Sequence, residues 1–337
     1  METSSGVVAA PFPSVFKEGN GSLQQISNGR VILEIMKHSA HPREGILLAL
    51  LSAALWGLTP VVTKGALTGF TPEFLSFVRL AVAAIIFRAL AGRDARWFVS
   101  DSWIWLAGAG LGADFILYNY GMQFTAANVA GLVINIELLS TIAFAMWILG
   151  ERFNARRVAG GAITIAGVLI VSLDGLDFSD VTRRDRVFGN ILVMLAGISW
   201  SLFAVAQRRT TFGKTLYARL TTIFSVAALF TAPLMLRPGV WSIKPAISPV
   251  LMFIVLTIFG TGVVYWVYAR AQEMIDVSVL SILLCTIPIF AVGFAYLLLD
   301  EPVTLQLVTG GMVILAGIVI IATEKAAVQE KTTHVIH

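Results

Sequence analysis

The sequence predicts an all-α, polytopic membrane protein: ten transmembrane helices arranged as two inverted five-helix repeats. The prediction rests on a shortage of charge, the spacing of the charges that remain, and an internal repeat. Of 337 residues, 57% are hydrophobic and 13% charged, with a mean hydropathy of +0.83; a soluble domain carries about 25% charged residues. The charges fall in short clusters separated by apolar stretches of about 18–23 residues, the length a helix needs to cross about 30 Å of hydrocarbon at 1.5 Å per residue. Hydrocarbon offers backbone groups no water to bond, so each stretch must satisfy its own N–H and C=O groups as a helix.

The pattern places spans at 46–66, 73–91, 103–122, 126–149, 156–173, 188–208, 215–236, 249–270, 276–299 and 304–323. Ahead of them, residues 1–44 are polar and rich in Gly, Ser and Pro, which predicts a disordered cytoplasmic tail. That tail lacks the basic leader and apolar core of a secretory signal, and Met36 before "KHSAHPREG" has the form of an alternative start. The first repeat covers 45–175, the second 187–324, and 325–337 form a cytoplasmic C-terminal tail.

Residues 159–170, "AGGAITIAGVLI", match 309–320, "TGGMVILAGIVI", at an offset of 150. The same offset pairs Glu151 with Glu301 and Tyr118 with Tyr268. With gaps, "AALWG" at 53–57 resembles "GISWS" at 197–201, and "SFVRL" at 76–80 resembles "LYARL" at 216–220. Five helices per unit turn the second copy upside down, and the basic residues agree. With the N-terminus cytoplasmic, the inner segments carry sixteen Lys and Arg and the outer loops six. Two like units of opposite orientation can exchange conformations and so open a shared site to either side in turn, a physical argument for transport.

Composition also excludes. A lone Cys285 leaves no internal disulfide or multi-cysteine metal site, and residues 42–333 contain no histidine, which argues against a metalloprotease or His-dependent hydrolase. Basic residues spread along the chain do not suggest nucleic acid, and no GxxxxGK[ST] loop is present to bind ATP. No cofactor is expected.

The runs "LLSAALWGLTPVVTKGAL", "FLSFVRLAVAAIIFRAL" and "AMWILGERFNARRVAGGAITIAGVLIV", with the second-copy run from "GTGVVYWVYARAQEMI" to "LAGIVII", resemble the EamA branch of the drug/metabolite transporter superfamily. The resemblance covers 46–323 and implies secondary transport of small organic molecules across the cytoplasmic membrane, often outward, in some members coupled to protons or exchange. It implies no particular substrate. One departure is that the small multidrug-resistance relatives carry a key glutamate in the first helix, whereas residues 46–66 contain no acid.

Four ionisable residues lie inside spans: Arg79, Asp114, Glu137 and Arg219. Each costs about 2.5–3.5 kcal/mol on insertion scales at the bilayer centre, so each needs a cavity or a partner. Asp114 and Glu137 fall near mid-depth on consecutive helices, where two carboxylates cannot both ionise cheaply. They are candidate proton- or cation-binding groups; the bland alternative is a helix-tying hydrogen bond, for Glu137 to Asn135 or Asn119. Arg79 reaches an acid or an anionic substrate group, or else snorkels, as is expected of Arg219. Trp56 and Trp200, with Tyr118, Tyr120, Tyr265, Trp266 and Tyr268, offer rings for a pocket or for an interfacial belt.

The repeated Gly-Gly stretches read as packing faces, Pro60 and Pro288 as kinks inside spans, Lys64 as an interface anchor, and Glu151 and Glu301 as caps of the fifth and tenth helices. The partners expected are a small molecule and the lipid bilayer, with protons a candidate coupling ion; monomer and homodimer both stay open. A passive channel, a scaffold or sensor, and an intramembrane enzyme remain as alternatives, though an aspartyl protease needs two deep aspartates and only Asp114 is available.

Overall fold

The computed structural model describes residues 42–149, 155–172, 181–210, 215–241, 243, 245–275, 280, 283–284 and 286–335. Residues 1–41, which include Met36, and also Glu151 and Cys285 lie outside the described residues, while 42–44, expected in the tail, already belong to the first helix. Among those described, the regular structure is helical: α1 (Pro42–Ala66), α2 (Pro72–Ala91), α3 (Ser102–Gly121), α4 (Ala127–Val133), α5 (Ile136–Leu149), α6 (Ala155–Ser172), α7 (Val181–Arg209), α8 (Leu216–Thr231), α9 (Ile247–Thr257), α10 (Val264–Met274), α11 (Ile287–Leu299) and α12 (Leu305–Val335). Five stretches are long and apolar enough to cross a membrane, at 43–66, 72–94, 184–207, 216–236 and 247–268. Shorter apolar helices cover 139–148, 159–171, 287–299 and 305–320. Large apolar side chains such as Leu229, Phe230, Leu251, Leu297 and Leu305 are exposed on the outside, as suits helices solvated by lipid.

Three expected spans are interrupted. The span at 126–149 breaks between α4 and α5, where the Asn135 amide donates to the Gly131 and Leu132 carbonyls at 3.0 and 2.9 Å. At the corresponding place in the second copy, Thr286 forms a turn and its hydroxyl donates to Leu283 O at 2.6 Å, just before α11. Pro288 therefore sits in the first turn of α11, where a missing N–H costs nothing, and not inside a kinked helix. The third interruption is a π-helical turn, Ile258–Val263, between α9 and α10. At the C-terminal end, α12 runs on to Val335, past the boundary at which the sequence suggests a tail.

The packing repeats across the copies. α3 lies against α7 as α9 and α10 lie against α1, and α5 lies against α7 as α11 lies against α1. α2 meets α8 and α6 meets α12, each its own counterpart. The α6–α12 crossing is antiparallel and too close for side chains. A Cβ on Gly317 would lie 2.5 Å from the Gly160 carbonyl, and one on Gly167 would lie 2.8 Å from that of Gly310. Because 160 corresponds to 310 and 167 to 317, the two contacts are one contact seen twice, related by a local two-fold. The repeated small residues are thus a packing face, as the sequence suggests.

Candidate functional site

Arg79 projects from α2 two turns after the N-cap Thr71, whose hydroxyl accepts from Phe74 N at 3.3 Å. It is 4% exposed. Its Nε donates to Thr261 Oγ1 at 3.1 Å, inside the π turn, and its Cζ lies 4.6 Å from the centroid of the Phe115 ring. Thr261 gives its own proton to Leu256 O, five residues back, at 3.3 Å. A lone pair is thereby left for Arg79. Glycine makes the turn's approach possible, since a Cβ on Gly262 would stand 3.0 Å from Ile86 Cδ1 on α2. π turns of this kind recur at functional sites.

Asp114 is buried on α3. That helix is clamped where Gly110 meets the Ser199 carbonyl of α7 and Gly108 meets Val226 of α8, at Cβ distances of 2.9 and 2.5 Å. Glu137 stands in the first turn of α5, directly after the break. Its carbonyl accepts from Ser201 Oγ at 2.6 Å, which fixes the half-helix to α7. Asp114 is within electrostatic reach of both Glu137 and Arg79, and Tyr118 and Tyr265 are neighbours of Arg79. The Tyr265 hydroxyl has Asp114, Trp200, Arg79 and Glu137 around it. The three charged residues expected to matter are therefore brought together.

Rings close one wall of this cluster. Trp56 meets Tyr265 edge-on at 5.8 Å and Tyr268 at 5.2 Å, while Phe224 and Phe87 pack on Tyr265 at 5.3 and 6.4 Å. Trp200 packs on Phe203 at 5.8 Å. Thr261, Phe115, Phe87 and Phe224 were not singled out by sequence; the two glycines flanking Thr261 in "FGTGV" were the available signal.

Other expected residues fall elsewhere. Asn135 is spent on the backbone of α4, and Asn119 Nδ2 donates to Ser76 Oγ at 2.8 Å; neither bonds Glu137. Tyr120 joins Glu73 and Arg237, which pair at 2.8 Å, and Trp266 is exposed. Glu301 does not cap the tenth helix. Its carboxylate accepts from Ala127 N and Asn128 N, both at 2.9 Å, and so caps α4. Lys64 is no free anchor, because its Nζ donates to Glu301 Oε1 and to Thr125 O, each at 3.1 Å. Arg219 Nη1 is held by Gln207 O at 3.2 Å.

A family model described as the EamA-like transporter family matches residues 43–173 and again 187–323. The chain belongs to that family. Among similar proteins, a probable amino-acid metabolite efflux pump of Escherichia coli K12 is 28% identical over 301 residues, covering 82% of this chain and 94% of the pump. An uncharacterised transporter of Archaeoglobus fulgidus is 25% identical over 292 residues, 84% of this chain and all of the relative. An uncharacterised inner membrane transporter of Escherichia coli K12, YhbE, is 25% identical over 270 residues, 75% of this chain and 81% of that protein. A crystal structure shares the fold at TM-score 0.59 and 19% identity, over 82% of this chain and 95% of that one. This EamA protein is a multi-pass membrane transporter, and the cluster around Arg79, Asp114 and Glu137 is its candidate site.

Proposed function

We propose that this EamA protein is a secondary transporter that exports small organic metabolites across the cytoplasmic membrane by alternating access. In this reading 45–175 and 187–324 are inverted five-helix repeats and both termini are cytoplasmic. Helices α6 and α12 serve as the structural seam. Arg79, Asp114, Glu137, Trp56, Trp200, Tyr265 and Tyr268 bind substrate or couple its movement, and Glu137 carries the coupling proton.

The observation that supports it best is the broken helix of the first copy, whose second half, α5, opens with Glu137 within electrostatic reach of Asp114. Discontinuous helices at repeat interfaces are where carriers of this design hold substrate and coupling ion. The efflux direction is supported by the name of the Escherichia coli relative.

Counterflow tests the reading. Proteoliposomes of the full chain, loaded with unlabelled amino acids, nucleosides, hexoses and quaternary amines, should accumulate at least one labelled member against its gradient. Dissipative flux alone would mark a channel and end the proposal. For the coupling role, Glu137→Gln keeps shape and removes titration, so substrate-driven acidification reported by a lumenal dye should fall at least tenfold while exchange persists. Unchanged acidification would remove Glu137 from that role.

A further inference from the structure

We propose that α4 is the outer lid of the transport site, hinged at the break before Glu137 and latched shut by the strap that follows α11. The proposal rests on the transport reading above and adds the part that moves.

The two ends of α4 are held in different ways. At its far end the Asn135 amide donates to the carbonyls of Gly131 and Leu132, within its own stretch of chain. The regular helix resumes at Ile136, with Glu137 in its first turn. A few residues at such an element end can absorb a change of angle between two half-helices. Of the two halves, α5 is fixed to α7 by the bond from Ser201 Oγ to Glu137 O at 2.6 Å, so α4 is the half left to turn.

The near end of α4 is held from the second copy. The Glu301 carboxylate accepts from Ala127 N and Asn128 N, both at 2.9 Å, and Pro302 O accepts from Asn128 Nδ2 at 3.2 Å. Lys64 Nζ joins Glu301 Oε1 to Thr125 O, each at 3.1 Å. Asp300 makes the approach possible. It ends α11 in the left-handed region, at φ +53°, and so turns the chain back to bring Glu301 over the start of α4.

Between its ends α4 is apolar. Ala127, Ala130, Leu132 and Val133 are buried, and a Cβ on Gly131 would stand 2.4 Å from Ala291 Cβ on α11. Small residues let the two helices lie close, but the polar ties described above sit at the strap. Those ties can open at low cost. The Lys64 side chain is 37% exposed, which weakens its pair with Glu301, and water can take over the freed N–H groups at a helix start near the surface. Seven residues make α4 about 10 Å long, so it fills the depth between the outer loop and Glu137. Release of the strap lets the start of α4 swing from α11 and uncovers the way to Glu137.

Two measurements on the full chain test this, the first in a Cys285→Ser background. In cells, Ala130→Cys on α4 should react with a membrane-impermeant maleimide at least threefold faster once Lys64→Met is added. Leu280→Cys, buried at the corresponding place of the second copy, should not react faster. A rise at both positions is general loosening and overturns the lid, as does no rise at Ala130→Cys.

The second measurement closes the strap covalently. In Asn128→Cys/Pro302→Cys, oxidation should lower counterflow of the labelled compound that the unmodified chain accumulates at least tenfold, and reduction should restore it. A merely structural tie would not stop exchange when made permanent. Counterflow that persists with the cross-link complete overturns the lid and leaves the transport reading standing. If Ala130→Cys responds as expected but nothing counterflows even before oxidation, the lid stands and the transport reading falls.

Discussion

At the crossing of α6 and α12 the two copies are interchangeable, with Gly160 facing Gly317 as Gly310 faces Gly167. Around Arg79 they are not. At the offset of 150, Asp114 corresponds to Val264 and Glu137 to Ile287. Arg79 is buried against the π turn, whereas its counterpart Arg219 is half-buried and held by a backbone carbonyl. The first copy supplies the charges, and the second supplies Thr261, Trp200, Tyr265 and Tyr268. A frame that rocks between two equivalent states gains from symmetry, because each half can take the other's conformation. A bound small molecule need not share a two-fold axis, so a binding site can depart locally from the symmetry of its frame.

The largest expected effect breaks the symmetric region. Gly167→Leu and Gly317→Leu each drive a side chain into backbone, since the Cβ would lie 2.7 Å from Ile314 N in one case and 2.5 Å from Gly160 O in the other. Overpacking of this kind costs about 3 kcal/mol or more where no side chain can move aside. The two variants should lose thermal stability alike, with midpoints in detergent falling together by several degrees. A large fall in one and none in the other would mean that the seam is not the two-fold contact described above.

The next effect concerns Glu301, the residue that sequence reasoning placed on the wrong helix. Its two backbone bonds and its pair with Lys64 tie the start of α4 to the loop before α12. Glu301→Gln leaves one acceptor for three donors and should cost about 2 kcal/mol. A double-mutant cycle with Lys64→Met should assign only about 0.5–1 kcal/mol to the ion pair, because the Lys64 side chain is 37% exposed. A coupling that accounts for the whole loss would make the pair, and not the cap, the source of stability.

This residue also marks where legibility stopped. Helix positions and the repeat follow from patterns local in the chain, apolar length and an offset; depth within a span puts Asp114 and Glu137 at one level but leaves Arg79 free either to meet them or to snorkel. The Glu301 cap joins residues 174 positions apart, and no spacing rule reaches that far. The break at Asn135 and the π turn at Ile258–Val263 hide for another reason. Their residues are as apolar as a regular span requires, and one amide or one Thr between two glycines is all that distinguishes them. Such a side chain can bond its own backbone, and whether it does so depends on what packs alongside, here α7 at the break and α2 at the π turn.

The smallest effect sharpens the comparison in the other direction. Gly293 lies within α11 with nothing within 4 Å of where a Cβ would stand, and the first copy has Ala143 at the corresponding place. No close approach needs this glycine, unlike Gly310 or Gly317, and its φ is not positive. Writing the first copy's residue into the second, Gly293→Ala, removes unfolded-chain freedom and adds helix propensity at no steric cost. It should stabilise the protein by about 0.5–1 kcal/mol, raising the denaturation midpoint by about 1–3 °C. Counterflow should distinguish two roles for the glycine. If rates are unchanged, Gly293 is a neutral difference between the copies. If the midpoint rises while the rate falls, the freedom it gives α11 belongs to the transport cycle, and α11 is an element that moves.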